Sequence, residues 1–133
     1  MQIRIDKRAH IPLHDQIKDQ IIGLIHARQI QAGDQLPTIR ALSIELAVNF
    51  NTVAHAYHEL AAEGILETRR GEGTFVADTP DETEMQALRQ KTLEKLVHAL
   101  MAEARRLGYT TAELHAALAG RLALDDAEKN HPA

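Results

Sequence analysis

The side chains best able to read the edge of a base lie in residues 48–60, VNFNTVAHAYHEL. At about 100° per residue around a helix axis, with Val53 at zero, Ala56, Tyr57 and Leu60 fall within roughly 60° and form a stripe to be buried. Asn51, His55 and His58 land near the opposite side, with Ala54 at its margin. Asn pairs in bidentate fashion with adenine, and His donates or accepts at base edges and phosphates. Phe50 lies about 60° from the stripe centre, and two readings stand for it: packing inward, or touching a thymine methyl. Tyr57 reads as core and not as a stacking platform. His55 and His58, at i and i+3, have a spacing open to a metal ion, but two histidines are a weak ligand set. No metal and no cofactor are expected.

This helix lacks charge. No Lys or Arg occurs anywhere from position 41 to position 68, so the grip on a polyanion must come from its flanks. Arg40 precedes the stretch, and Arg69 and Arg70 stand just before the Gly71-Glu72-Gly73 triplet. Phosphate contacts fix the register while base contacts specify, and backbone N–H groups at helix starts add anion sites without side-chain charge. The competing role for each arginine is a surface ion pair: Arg40 with Glu45, or Arg69 with Glu67 or Glu72. His55 and His58 also have the plain alternative of a solvated helix face.

The elements that would carry these groups follow from periodicity. Leu13, Ile17, Ile21, Leu24 and Ile25 recur at helical spacing, which predicts a first helix over residues 12–28 with Pro12 in its opening turn. Gly33-Asp34 and Pro37 break the pattern. Thr38 is a suitable N-cap for a short second helix bearing Ile39, Leu42 and Leu46 on one face. Asn49 caps the third helix, which runs to Glu63 and stops at Gly64. Two helices joined so tightly form a helix-turn-helix. The period then changes: ILETRRGEGTFVA reads as a β-hairpin, so the fold expected is mainly α with a small hairpin, a winged helix-turn-helix.

The polar stretch DTPDET marks a boundary. Beyond it, Met85, Leu88, Leu93, Leu96, Leu100, Ala104 and Leu107 form one stripe of a long amphipathic helix closed by Gly108. Thr110 and Glu113 make a capping box for a last helix along Leu114, Leu118 and Leu122. The resulting division is a DNA-binding winged helix-turn-helix over 1–79, a two-helix region over 80–124, and a frayed polar tail over 125–133. About 40 residues are too few to hold a core alone. Without cysteines for disulfides, pairing with a second copy is the expected solution, through Leu88, Leu93, Leu96, Leu100, Leu107, Leu114 and Leu118.

Bulk properties narrow the function classes. The chain has 133 residues, no cysteine and a net charge of −4. Residues 1–79 carry 8 Lys and Arg against 10 Asp and Glu, and residues 80–133 carry 7 against 9. A wholesale basic surface is excluded, and any nucleic-acid contact must be a local positive face on an acidic body. The N-terminus lacks the apolar core of a signal peptide, and no long apolar run suggests a membrane span, so a cytoplasmic location is expected. No Ser-His-Asp, paired-carboxylate or phosphate-loop arrangement stands out, and Gly71-Glu72-Gly73 is too short for a nucleotide loop. An enzyme is not expected.

Residues 36–76 resemble the GntR family of bacterial transcription regulators. The likeness rests on Leu36-Pro37, Arg40, Leu42, Thr52-Val53, Ala56-Tyr57, Leu60, Glu63-Gly64 and Gly71-x-Gly73-Thr74-Phe75-Val76. It implies operator contacts for Arg40, Asn49, Asn51, Thr52 and Gly71. Phe50 stands where many members have Arg, which removes one phosphate or guanine contact. The short C-terminal part and its RRLGYTTAEL joint look like the YtrA subfamily, in which that part serves mainly dimerisation. Larger effector domains do not fit, so His98 and His115 read as ordinary helix residues and no effector is assigned.

The leading expectation is a homodimeric repressor of a pseudo-palindromic double-stranded operator, with transporter genes among its targets by analogy to the subfamily. The DNA-facing set is Thr38, Arg40, Asn49, Phe50, Asn51, Thr52, His55, His58, Arg69, Arg70 and Gly71. The alternative is a winged-helix protein-interaction module that has lost DNA binding, favoured by the acidic balance and by Phe50.

Overall fold

The computed structural model describes residues 1–129. Its elements are α1 (Leu13–His26), α2 (Ile39–Leu46), α3 (Phe50–Ala62), β1 (Leu66–Arg69), β2 (Gly73–Val76), α4 (Glu82–Arg106) and α5 (Thr111–Lys129). The mainly helical architecture with one antiparallel hairpin is the expected one. The described residues fall into two compact units, the first ending at residue 91 and the second beginning at residue 92.

In the first unit, α1 and α2 both pack on α3. The apolar stripe of α3 is buried as its spacing demands: Val53, Ala56, Tyr57 and Leu60 join Ile17, Ile21, Ile22 and Leu42 in one core. Local chemistry sets the helix ends. Thr38 Oγ1 accepts from the Ala41 amide at 3.0 Å, and Asn49 Oδ1 accepts from the Asn51 amide at 2.8 Å, each relieving an amide that the first turn leaves unpaired. Between them, α2 ends on Ala47 in the left-handed region, φ 54° and ψ 46°. Gly64, at φ 78°, follows α3.

The hairpin pairs Leu66 with Val76 and Arg69 with Gly73. It is extended by a segment that reads as a mere turn in the sequence. Gly33 N–H donates to Val76 O, Val76 N–H to Asp34 O, and Leu36 N–H to Thr74 O, while Gln35 bridges Phe75 antiparallel. Residues 33–36 therefore flank β2 like a short third strand and deliver the chain directly into α2.

The boundary lies further along than residue 80. Asp81 caps α4 through its carboxylate, which accepts from the Glu84 amide at 3.0 Å. Met85 is then buried in the core of the first unit and Leu88 packs against it. The opening turns of α4 thus complete the winged helix, and Leu88, half-buried against that core, is in part covered within the single chain.

In the second unit, Gly108 at φ 88° separates α4 from α5, and the capping box forms reciprocally: the Thr110 amide donates to Glu113 Oε1, and the Glu113 amide to Thr110 Oγ1. Helix α5 has no buried residue, and Leu93, Leu96, Val97, Leu100, Leu107, Leu118, Leu122 and Leu124 are all exposed; Leu114 is half-buried. Fraying from residue 125 is not what is found: Arg121 pairs with Asp125 at 2.9 Å and the helix continues to Lys129. The rest of the expected tail, residues 130–133, lies outside the described residues. No described helix is long and apolar enough to cross a membrane.

Candidate nucleic-acid interface

Two of the three flanking arginines present themselves outward. Arg40 occupies the first turn of α2, exposed, and Arg70 follows β1 at the hairpin tip, also exposed. Among the described residues neither guanidinium has an ion-pair or hydrogen-bond partner, so the proposed pair of Arg40 with Glu45 does not form. Arg69 differs. Its guanidinium lies over the Phe75 ring, 4.2 Å from the centroid, with Glu67 at 3.6 Å and Asp78 at 3.7 Å. Strand alternation puts this side chain on the same face of the hairpin as Glu67 and Phe75, so Arg69 braces the wing and is less available than Arg70.

One side chain ties the wing tip to the start of α2. Gln35 Nε2 donates to Glu72 O at 2.9 Å, and Gln35 lies five residues before Arg40. Close packing makes glycine matter here: a Cβ on Gly73, at φ 124°, would fall 2.7 Å from Gln35 Nε2. Gly71 is the reverse case. Its φ of 77° favours glycine, but a Cβ would meet nothing within 4 Å, leaving an open surface at the tip.

On α3, Asn51 and His58 are exposed and Thr52 is half-buried. The Asn49 carbonyl oxygen is spent on its cap, which leaves its amide N–H groups for an external acceptor. The Thr38 hydroxyl likewise accepts within the protein and keeps its own hydrogen to donate outward. Phe50 is 48% exposed, which decides between its two readings in favour of the outward one. Tyr57, 2% exposed, is core.

His55 is the principal departure. It is exposed, yet its Nε2 lies 2.6 Å from Glu59 Oε1 and its ring stacks on His14 of α1, centroids 4.0 Å apart. The same Glu59 meets Lys18 through Oε2 at 2.9 Å, and Lys18 also bonds Glu63. Burial works against the Lys18 ammonium, but its hydrogen bonds to Glu63 and Glu59 outweigh that and hold its pKa above the ordinary value. The Lys18 hydrogen bond in turn holds the Glu59 carboxyl below the usual carboxylate range, with His55 and His14 adding to the effect. One oxygen, Glu63 Oε2, is buried without a partner. This polar latch joins α1 to α3 across 41 and 45 residues of sequence, and periodicity within either helix gives no sign of it.

An exposed, uncharged helix face flanked by a free arginine on the preceding helix and another on a hairpin is the layout of a winged-helix regulator. The sequence model for bacterial regulatory proteins of the gntR family matches residues 13–76, and the chain is 34% identical over 113 residues to the HTH-type transcriptional repressor YtrA of Bacillus subtilis, covering 85% of this chain and 86% of the repressor. The chain belongs to the GntR family. Among solved structures, a GntR family transcriptional regulator from Listeria monocytogenes aligns with a TM-score of 0.61 at 28% identity, over 87% of this chain and 98% of that one. The DNA-binding domain of AraR in complex with operator ORX1 aligns with a TM-score of 0.52 at 26% identity, over 58% of this chain and 96% of that one. The likeness to YtrA extends past the winged helix into α4 and α5 and supports the YtrA subfamily. These GntR relatives and neighbours are transcriptional regulators, not enzymes.

Proposed function

We propose that this GntR regulator is a homodimeric repressor that sets α3 of each copy in a major groove of a pseudo-palindromic operator, with the hairpin tips on flanking phosphates. The observation that carries this is the exposed, unpaired Arg40 guanidinium at the start of α2, the helix whose leading segment the Gln35–Glu72 bond ties to the wing tip. Two phosphate anchors, Arg40 and Arg70, bracket a reading face of Asn49, Phe50, Asn51, Thr52 and His58, with the Thr38 hydroxyl and the bare Gly71 backbone at its edges. AraR's DNA-binding domain, of the same fold, is seen on its operator, which supports this docking. The exposed leucines of α4 and α5 support the dimer, because so large an apolar set is left uncovered in one copy. Similarity to YtrA extends the proposal to repression, with transporter genes as targets.

Footprinting on the chain's own upstream region tests it: two protected half-sites about one helical turn apart are expected. The second reading, a protein-interaction module, draws on Ile44 of α2, 74% exposed, and on the outward Phe50. That reading requires no retarded band at any salt concentration.

A further inference from the structure

His14 and His55 come from different helices, yet both turn Nε2 toward one oxygen, Glu59 Oε1, at 3.8 and 2.6 Å. Their rings stack with planes 24° apart, and the donor atoms of all three residues lie within 4.8 Å of one another. Two of the donors share one face of α3 at i, i+4, and the third enters from α1. Glu59 is not free to rotate away, because Lys18 Nζ holds its other oxygen at 2.9 Å. A ligating carboxylate is commonly oriented in this way by a second group.

A divalent ion suits this arrangement, since each imidazole can offer it a lone pair and the Glu59 carboxylate offers charge. Tetrahedral Zn²⁺ bonds of about 2.0–2.1 Å place neighbouring ligands roughly 3.3 Å apart. The 2.6 Å separation must therefore open and the 3.8 Å one close, each by less than about 1 Å, and the stacked rings must splay so that both Nε2 lone pairs meet at one point. The three side chains are 27%, 53% and 32% exposed, so an ion can enter with water as a fourth ligand. Asp15 Oδ1, 3.3 Å from His14 Nε2, offers a further oxygen at the rim.

We propose that His14, His55 and Glu59 form a binding site for one divalent transition-metal ion of borderline softness, Zn²⁺ foremost, that clamps α3 to α1. The site does not depend on the DNA reading, and its test is independent of any operator.

The full chain, stripped of metal, is titrated with Co²⁺ as an optical probe and with Zn²⁺ by calorimetry, alongside thermal melts. One ion per chain is expected, with visible absorption of a low-coordinate Co²⁺ site and a Zn²⁺-dependent rise in melting temperature. His14→Gln and His55→Gln should each weaken binding at least ten-fold, whereas a His98→Gln, His115→Gln double variant should bind as the wild type does. The proposal is overturned if the wild-type chain takes up no stoichiometric Co²⁺ or Zn²⁺, if binding survives in the His14→Gln, His55→Gln double variant, or if the His98, His115 variant loses it.

Discussion

The phenolic oxygen of Tyr57, inside α3, donates a 2.8 Å hydrogen bond to the carbonyl of Pro37, the residue before the N-cap of α2. The bond ties the middle of one helix to the root of the other, next to the turn that carries Arg40. Tyr57→Phe keeps the ring and loses the bond, so a destabilisation of about 1 kcal/mol is expected, measurable by urea denaturation. Burial, with Glu45 adding, raises the Tyr57 pKa well above its ordinary value. The neutral phenol therefore contributes stability that is complete below the unfolded pKa of about 10 and is lost as pH rises from there toward the folded value. Between pH 9 and pH 11 the wild type should lose more stability than the Phe variant.

What could be read in advance was whatever lies within a few residues along the chain. Thr38 and Asn49 are recognisable caps because the amides they satisfy are two or three positions away, and the Thr110–Glu113 box is legible for the same reason. Hidden features join distant segments. The latch of Lys18 with Glu59 and Glu63, the pairing of residues 33–36 with β2, and the seating of Met85 and Leu88 in the winged-helix core all require tertiary structure. Arg69 and Arg70 look equivalent in the sequence; only the hairpin register sets one over Phe75 and leaves the other free.

That difference between neighbours is testable. Arg40→Ala and Arg70→Ala should each weaken operator binding, Arg40 to the point of loss, with the melting temperature unchanged and the slope of log K against log salt reduced by about one. Arg69→Ala should leave binding near wild type and cost about 0.5–1 kcal/mol of stability through the lost ring contact. Gel shifts across a salt series, read beside thermal melts, separate the two outcomes. With so few cations in contact, the wild-type slope should be much shallower than about −10.

Lys18→Ala strands two carboxylates at the α1–α3 contact. Both are only partly exposed, so the cost should fall between the about 1 kcal/mol of a surface pair and the about 3 kcal/mol or more of a buried one. Acid should release the same contact. With its folded pKa depressed, Glu59 adds stability above the unfolded carboxylate value of about 4.3, and this is lost as pH falls through the lower folded value. Denaturation midpoints at pH 7 and pH 3 should therefore converge for wild type and Lys18→Ala.

Leu100→Glu tests the proposed dimer. Exposed in the single chain, it should tolerate Glu without loss of helix, yet in a paired face it would bring unpaired charges into an apolar seam. Sedimentation equilibrium should show a monomer, and operator affinity should drop by about 100-fold or more as two linked half-sites become independent.

Ala47 bends the chain between α2 and α3 in a conformation that costs a residue bearing a Cβ about 1–2 kcal/mol. The corner is therefore not a preference of its own residue; it is imposed from outside by the helices packed around it. A peptide of residues 38–62 cut free of α1 should straighten or fray at this point, and the angle at which the chain offers its polar face belongs to the whole three-helix body.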